Sequence, residues 1–294
     1  MKKHFLFLAF YDKILSNLDE WNGEKMIDTG YISKSLKILG TSIWKIFTYF
    51  ILYSIVGFII ETIFGIITTG LLESRRSFLY GPFCGIYGVG AVCIILFSKY
   101  FDKNNFSLFV GGYIIGTIIE YMISFLVETI LHTQWWDYSG RILNLNGRVC
   151  LLYSLFWGIL TIFLIKKFNP VFDRLIEKIK NKYAIRTLQG ILTIVIIFLI
   201  VDVLATCYAQ DKFITRMVVE NNIAVKDYER RLKDYEETEK NEFLSSVINT
   251  LWNNKKMLKT FPNIKIEDAN KNVIYIGSLL PDIQPYYIRI FPQY

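Results

Sequence analysis

Histidine is almost missing from this sequence: His4 and His132 are the only two in 294 residues. Zinc-dependent hydrolysis and a histidine-based triad therefore have little to work with, and no H-E-x-x-H pair occurs. No G-x-x-x-x-G-K-S or -T run is present, so this chain does not cradle a nucleotide through a P-loop. Cys84, Cys93, Cys150 and Cys207 form no C-x-x-C, and their spacing suggests no metal site. They read as small buried side chains, with an outer-face bridge between Cys84 and Cys150 as the alternative. No internal repeat and no low-complexity segment occurs. Charge is scarce too: 20% of residues are charged against 53% hydrophobic and 16% aromatic. A mean hydropathy of +0.34 is too apolar for an ordinary soluble protein and places the chain in a membrane.

The net charge of +7 sits mostly in loops between apolar runs. That distribution suits membrane topology and gives no basic face for nucleic acid. The first ten residues look like a signal peptide, but the apolar run stops at Asp12 with no small-x-small pattern, so no cleavage is expected.

Five spans are expected, at 44–72, 79–98, 106–131, 149–165 and 188–208, since about twenty apolar residues cross the hydrocarbon core. Residues 1–43 read as a cytoplasmic arm, and 44–208 as the transmembrane domain. Between spans four and five, Asn169 and Pro170 suit a helix cap and first position. Val171, Phe172, Leu175, Ile176, Ile179 and Tyr183 then recur at helical spacing opposite Arg174, Lys178, Lys180 and Lys182. This predicts a basic amphipathic helix over 170–183, lying on the membrane surface or docking a partner such as an ATPase. The tail, 209–294, has a water-soluble composition. Its part from Met217 to Trp252 reads as a long exposed helix or helical pair, and Ile264–Ile276 as a small β-hairpin turning at Asp268–Asn272. The fold class is thus an all-α polytopic membrane protein of about five helices with a soluble C-terminal tail.

Loops sharing a side with the N-terminus hold Lys99, Lys103, Lys166, Lys167, Arg174, Lys178, Lys180, Lys182 and Arg186; the opposite short loops hold only Arg75, Arg76, Arg141 and Arg148. The positive-inside bias predicts a multi-pass protein of the bacterial cell membrane with its N-terminus cytoplasmic and its tail outside.

Inside the membrane, Gly112, Gly116, Glu120, Ser124 and Glu128 recur at four-residue steps and share one helical stripe. The stripe must face protein or water, because an ionisable group facing lipid costs several kcal/mol. Ser54, Gly57, Glu61 and Gly65 form a similar stripe, as do Ser154, Gly158 and Thr161, and Asp202 with Thr206. Glu61, Glu120, Glu128 and Asp202, with Arg75, Arg76, Arg141 and Arg148 in outer loops, describe an outward-opening polar pocket or, equally, a set of structural ion pairs. Trp135, Trp136 and Tyr138 suit an interfacial belt; alternatively, with Asp137 among them, they wall a site for a cationic or zwitterionic substrate.

Two runs carry a resemblance: Ser77-Phe78-Leu79-Tyr80-Gly81-Pro82-Phe83-Cys84-Gly85-Ile86-Tyr87-Gly88-Val89-Gly90-Ala91, and Trp135-Trp136-Asp137-Tyr138-Ser139-Gly140-Arg141 continuing through Asn144-Leu145-Asn146-Gly147-Arg148-Val149-Cys150-Leu151. Over about Trp44 to Tyr208 the chain resembles the CmpB-like ABC-transporter permeases of type IV found in Gram-positive bacteria. It departs from their pattern at Gly85, where a second proline is expected after the cysteine. The resemblance implies a membrane permease subunit working with a separate nucleotide-binding ATPase. In that reading Glu61, Glu120 and Asp202 line a path, and Arg75, Arg76, Arg141 and Arg148 select or gate at its outer mouth, with Tyr80, Glu128, Trp136 and Asp137 beside them. The lipid bilayer is a partner, a homo-oligomer is compatible, and no cofactor, metal or nucleic acid is expected. Two other classes stay open: an interaction or sensory protein acting through its tail, and an intramembrane enzyme acting on lipid or envelope precursors.

Overall fold

The computed structural model describes residues 36–291. The expected arm over 1–43 lies outside the described residues as far as residue 35. From Ile38 the chain forms one compact unit.

Helix α1, Ile43–Thr69, is apolar almost throughout and ends where Gly70 takes the left-handed conformation at φ +69°. Helix α2, Gly85–Phe97, continues as a short 3-10 turn to Tyr100, and α3 runs over Asn105–Leu131, capped by the Asn104 side chain on the Ser107 amide. Helix α4, Leu151–Phe163, passes through a π turn at Leu164–Phe168 into α5, Asn169–Lys182. Helix α6 spans Ile185–Glu220. Four helices are long and apolar enough to cross a membrane: α1, α3, the continuous α4–α5, and α6; α2 is a shorter apolar fifth. The chain is therefore a mainly helical multi-pass membrane protein with small C-terminal strands.

Three boundaries differ from expectation. The second helix starts at Gly85, not Leu79, because Gly81 sits at φ +75° and Pro82 follows it, so the apolar run enters as irregular chain. At ~1.5 Å per residue, Gly85–Tyr100 rises about 24 Å, short of the roughly 30 Å hydrocarbon core. The fourth helix does not stop near Ile165; Asn169 is helical and its side chain meets Tyr53 and Asp173, so it caps nothing. Pro170 follows the π turn after Asn169, in the first turn of α5, where its missing N–H is tolerated. The fifth helix runs on past Tyr208 to Glu220, and its last turns form the centre of the tail's core.

The tail adds α7, Tyr228–Lys240, α8, Glu242–Leu251, and α9, Asn254–Thr260. Strands β2, Lys265–Glu267, and β3, Val273–Tyr275, pair antiparallel around the turn at Asp268–Asn272, as the sequence pattern predicts. Asp268 holds that turn by accepting from the Asn270 and Asn272 amides. Strand β1, Leu71–Leu72, lies directly after α1 and pairs with β4, Ile288–Arg289, near the end of the tail.

Those pairings fix which connections share an end of the bundle. Leu79 is 1% exposed and sits in the tail core with Phe213, Met217, Met257 and Ile276. Gln134 and Lys265 exchange backbone hydrogen bonds. The α1–α2 and α3–α4 connections therefore lie at the tail's end. At the other end, Lys166 donates to Asn105 at the start of α3, and Asp173 of α5 takes Lys45 at 2.8 Å and the Tyr49 hydroxyl at the start of α1.

Candidate functional site

The helix bundle is packed tightly enough that its polar groups must meet one another. On α3, a side chain at Gly112 would overlap Thr161 and one at Gly116 would overlap Trp157, so the small-residue stripe is the seat of α4. On α1, Gly57 is covered by Tyr87 of α2. Thr117 donates to Ser154 at 2.7 Å across the α3–α4 seam.

The stretch from Ser77 to Cys84 descends between helices without forming one. Its backbone is satisfied group by group, as irregular chain at membrane depth must be. The Ser77 amide donates to Phe83 O at 2.8 Å, Gly85 N to Ser77 Oγ at 2.9 Å, and Cys84 N to Ser54 O at 2.9 Å. Leu79 N donates to Thr206 Oγ1 at 2.9 Å, and Tyr80 N to both carboxylate oxygens of Asp202 at 3.2 Å. Because Ser54 lies near the middle of α1, Ile43–Thr69, helix α2 begins deep inside the bundle. Its N-terminus, where peptide dipoles leave partial positive charge, opens there.

Around that opening the acids find hydroxyls. Tyr87, in the first turn of α2, donates to Glu61 Oε1 at 2.6 Å. Glu120 is 5% exposed; the Tyr138 hydroxyl donates to its Oε1 at 3.1 Å, and the Trp157 indole also faces it. Its Oε2 makes no hydrogen bond among the described residues. Tyr138 stacks on Tyr153 at a centroid distance of 4.7 Å, and Tyr87 lies 5.5 Å from the Trp157 ring. Glu61 and Glu120 lie close enough to interact electrostatically. Glu120 is buried and Glu61 half-buried, and tyrosine and tryptophan rings flank both carboxylates.

The remaining expected residues divide into tethers. Glu128 pairs with Arg148 at 2.5 Å, and the Arg148 guanidinium lies 5.4 Å from the Tyr121 ring and 5.6 Å from the Phe125 ring. Trp136 donates its indole N–H to Arg148 O at 2.9 Å. Arg75 pairs with Glu73 at 3.1 Å and lies over Gly65; Arg76 reaches Ser74 Oγ and Leu79 O. Tyr80 is partly exposed, with Lys256 over its ring. Arg141 is exposed. Asp202 is 2% exposed and spent on the Tyr80 amide. Asp137 accepts from the Ser139 amide at 2.9 Å and hydroxyl at 2.6 Å, and lies 3.8 Å from Lys265 of the tail. Burial alone would raise its pKa, but Ser139 and then Lys265 outweigh that and hold the carboxyl below the usual range.

Glu61 and Glu120 thus each take a tyrosine hydroxyl within the bundle, while Glu128 and Asp202, with Arg75, Arg76 and Arg148, hold loops. Sequence reasoning missed Tyr87 and Trp157 as their companions, and read Tyr138 as an interfacial aromatic or part of an aromatic wall beside the arginines, not as the donor to Glu120. All four cysteines are free thiols, so Cys84 and Cys150 are not bridged. Among the described residues no group of three or more histidine, cysteine or acidic side chains is placed to hold a metal ion.

The model of the family described as "Putative ABC-transporter type IV" matches residues 48–207, which include α1 from its second turn to the middle of α6. No curated protein and no solved structure matches the chain.

Proposed function

The chain belongs to the Putative ABC-transporter type IV family, and on that premise we propose that it is the membrane permease subunit of a transporter driven by a separate nucleotide-binding ATPase. The observation that carries this reading is the half-length helix α2, which opens inside the bundle beside Glu61 and Glu120. Discontinuous helices with irregular backbone around a buried polar site are a recurring way to build a substrate site near the bilayer midplane. In this reading Glu61 and Glu120 line the path with Tyr87, Tyr138 and Trp157. Arg75, Arg76, Arg141 and Arg148 stand at its mouth on the tail's side, and Asp202 fixes the irregular strand that forms one wall. The positive-inside bias puts the tail outside and the α5 end, with Lys166, Lys167, Arg174 and Lys178, in the cytoplasm facing the ATPase.

The experiment is co-purification from the native host in mild detergent. Recovery of a P-loop ATPase with the chain, whose ATP hydrolysis changes when Glu120 is replaced by Gln, supports the reading. Repeated isolation of the chain without any nucleotide-binding subunit removes it.

A further inference from the structure

The absence of an internal repeat expected from the sequence does not hold for the membrane part. Ile55-Val56-Gly57-Phe58-Ile59-Ile60-Glu61 of α1 matches Ile114-Ile115-Gly116-Thr117-Ile118-Ile119-Glu120 of α3. Leu79-Tyr80-Gly81-Pro82-Phe83-Cys84 before α2 likewise matches Leu145-Asn146-Gly147-Arg148-Val149-Cys150 before α4. The fold agrees at each step. Both long helices run toward the tail's end, Gly57 is covered by Tyr87 of α2, and Gly116 by Trp157 of α4. Gly81 and Gly147 both have left-handed backbone, at φ +75° and +67°, and Cys84 and Cys150 each directly precede a helix. No single period links the two units, because glutamate and cysteine stand 23 residues apart in the first and 30 in the second.

The second unit lacks an anion and a cover that the first possesses. Nine residues before the cysteine stand Arg75 and Arg141. Arg75 pairs with Glu73, two residues earlier. The position equivalent to Glu73 is Ser139, whose hydroxyl is given to Asp137, and Arg141 makes no ion pair among the described residues. The nearby acids are engaged elsewhere: Asp137 with Lys265, Glu128 with Arg148 and Glu120 with Tyr138. Leu79 is 1% exposed, closed over by α6 and the tail, whereas its counterpart Leu145 is 57% exposed, beside Ile142 and Leu143 at 80% and 74%.

This bare loop sits beside the span. Asn146 donates to the Tyr121 hydroxyl at 2.9 Å, ten residues before α3 ends at Leu131, or about 15 Å short of that end at ~1.5 Å per residue. Beyond that level α3 still exposes Phe125 and Ile130, so lipid flanks the loop. Asn144 closes the loop's backbone, donating to Ser139 O and Arg141 O and accepting from Gly147 N, as chain beside hydrocarbon requires. A guanidinium without a counter-ion is costly in such a place.

We propose that the loop over 140–146 is a binding site for an anionic phospholipid of the leaflet on the tail's side. Arg141 takes the phosphate, which a guanidinium can hold through two hydrogen bonds, and an acyl chain lies on Leu145 and on the exposed Ile118 and Ile114 of α3. One amphiphile thus supplies both the anion that Glu73 gives Arg75 and the apolar cover that α6 gives Leu79. Free phosphate would leave the apolar tip bare. A second copy packed on this patch about a twofold axis would bring two unpaired Arg141 side chains together. The site shares Arg141 with the mouth of the proposed path, but lipid contact is read without an ATPase, so either reading can fail alone.

The test places the full chain in dioleoylphosphatidylcholine nanodiscs doped with a phosphatidylglycerol carrying a diazirine in its acyl chain, and maps the cross-links by peptide mass spectrometry. A phosphatidylcholine with the same diazirine is the reference. The phosphatidylglycerol probe should label 142–145 and 114–118 about fivefold more than the reference, from roughly 1 kcal/mol per arginine near anionic lipid. Arg141→Gln should abolish that preference, while labelling around the lipid-facing Ile194 of α6 stays constant and reports an intact bundle. Lys178→Gln, at the other end, should leave the preference unchanged. Equal labelling by the two probes would make the loop an ordinary lipid-facing surface, and a preference that survives Arg141→Gln would place the anion elsewhere. Suppression by inorganic phosphate would make the ligand a free anion, and an unlabelled loop cross-linked to a second copy would make it a subunit contact. Each of these four results overturns the proposal.

Discussion

The Asp202 carboxylate receives the backbone N–H of Tyr80 on both its oxygens at 3.2 Å, across 122 residues of chain. One turn on, Thr206 takes the neighbouring N–H of Leu79. An acid inside a span suggests a transported ion or proton, yet here it replaces the partner that a helix would have supplied to an irregular strand. Replacing Asp202 by Ala strands the Tyr80 amide in a buried place and should cost about 1–3 kcal/mol. Asp202→Asn keeps an acceptor oxygen and should cost less. Thermal unfolding in detergent checks the order Ala below Asn below parent; an Ala variant as stable as the parent would remove the tether.

Glu120 should behave in the opposite way. Glutamine is its neutral near-isostere and still accepts from Tyr138, so stability should change by about 1 kcal/mol or less. If Glu120 lines the path, substrate-dependent ATP hydrolysis by the assembled complex should fall by about tenfold or more, equivalent to roughly 1.4 kcal/mol in the barrier. Measuring both quantities on both variants separates a functional acid from a structural one. Equal loss of stability and activity in Glu120→Gln would place it with Asp202.

How much of this was legible in the sequence depends on the range of the contact. Helices α1, α3 and α6 follow from apolar runs long enough to span, and the hairpin follows from its alternation around a polar turn. The stripe through Gly112, Gly116 and Glu120 is a local period, so its turning away from lipid was readable, but not that α4 covers it. The partners of the acids were not: Glu61 meets Tyr87 across 26 residues and Glu120 meets Tyr138 across 18. No period links those positions. The start of α2 was hidden for a related reason, since the apolar character of Leu79–Cys84 reports burial but not backbone conformation. The passage of α4 into α5 was hidden by Pro170, which ordinarily ends a helix and here follows a π turn.

Asp137 gives the junction between loop and tail a defined pH range. Its pKa is depressed in the folded protein, so its ionised form contributes stability above the ordinary aspartate value near 3.9 and loses it as pH falls through the lower folded value. Hydrogen exchange at Asp137–Gly147 and in β2 should therefore be unchanged from pH 8 to about 5 and should rise only below about 4, after correction for intrinsic rates. Asp137→Asn should raise exchange there at neutral pH and flatten the acid response. Loosening already at pH 6 would point to another group.

Gly116 lies against Trp157 with no space for a side chain. Since Trp157 also faces Glu120, the close approach of α3 and α4 positions both the packing seam and the acid. Gly116→Val should overpack the seam by about 1–3 kcal/mol and displace the indole. Tryptophan emission should shift and the melting temperature should fall together. A change in stability without a change in emission would mean that the backbone yields while Trp157 stays.

Leu79 ties the transmembrane part to the tail. It belongs to the α1–α2 connection by sequence, but its side chain is 1% exposed in a core made otherwise of α6 and tail residues. A loop that supplies a core residue to another region cannot move without opening that core. Leu79→Ala should cost about 2–5 kcal/mol, as large-to-small changes in closed cores do. The loss should be local to the tail: exchange protection should drop in Met257–Phe261 and Ile264–Ile276 while the α3–α4 seam around Thr117 and Ser154 keeps its protection. Thr206→Val, which removes the acceptor of the Leu79 amide, should loosen the same tail segments more mildly. Should Leu79→Ala instead unfold the bundle and tail in a single transition, the connection is part of one cooperative unit.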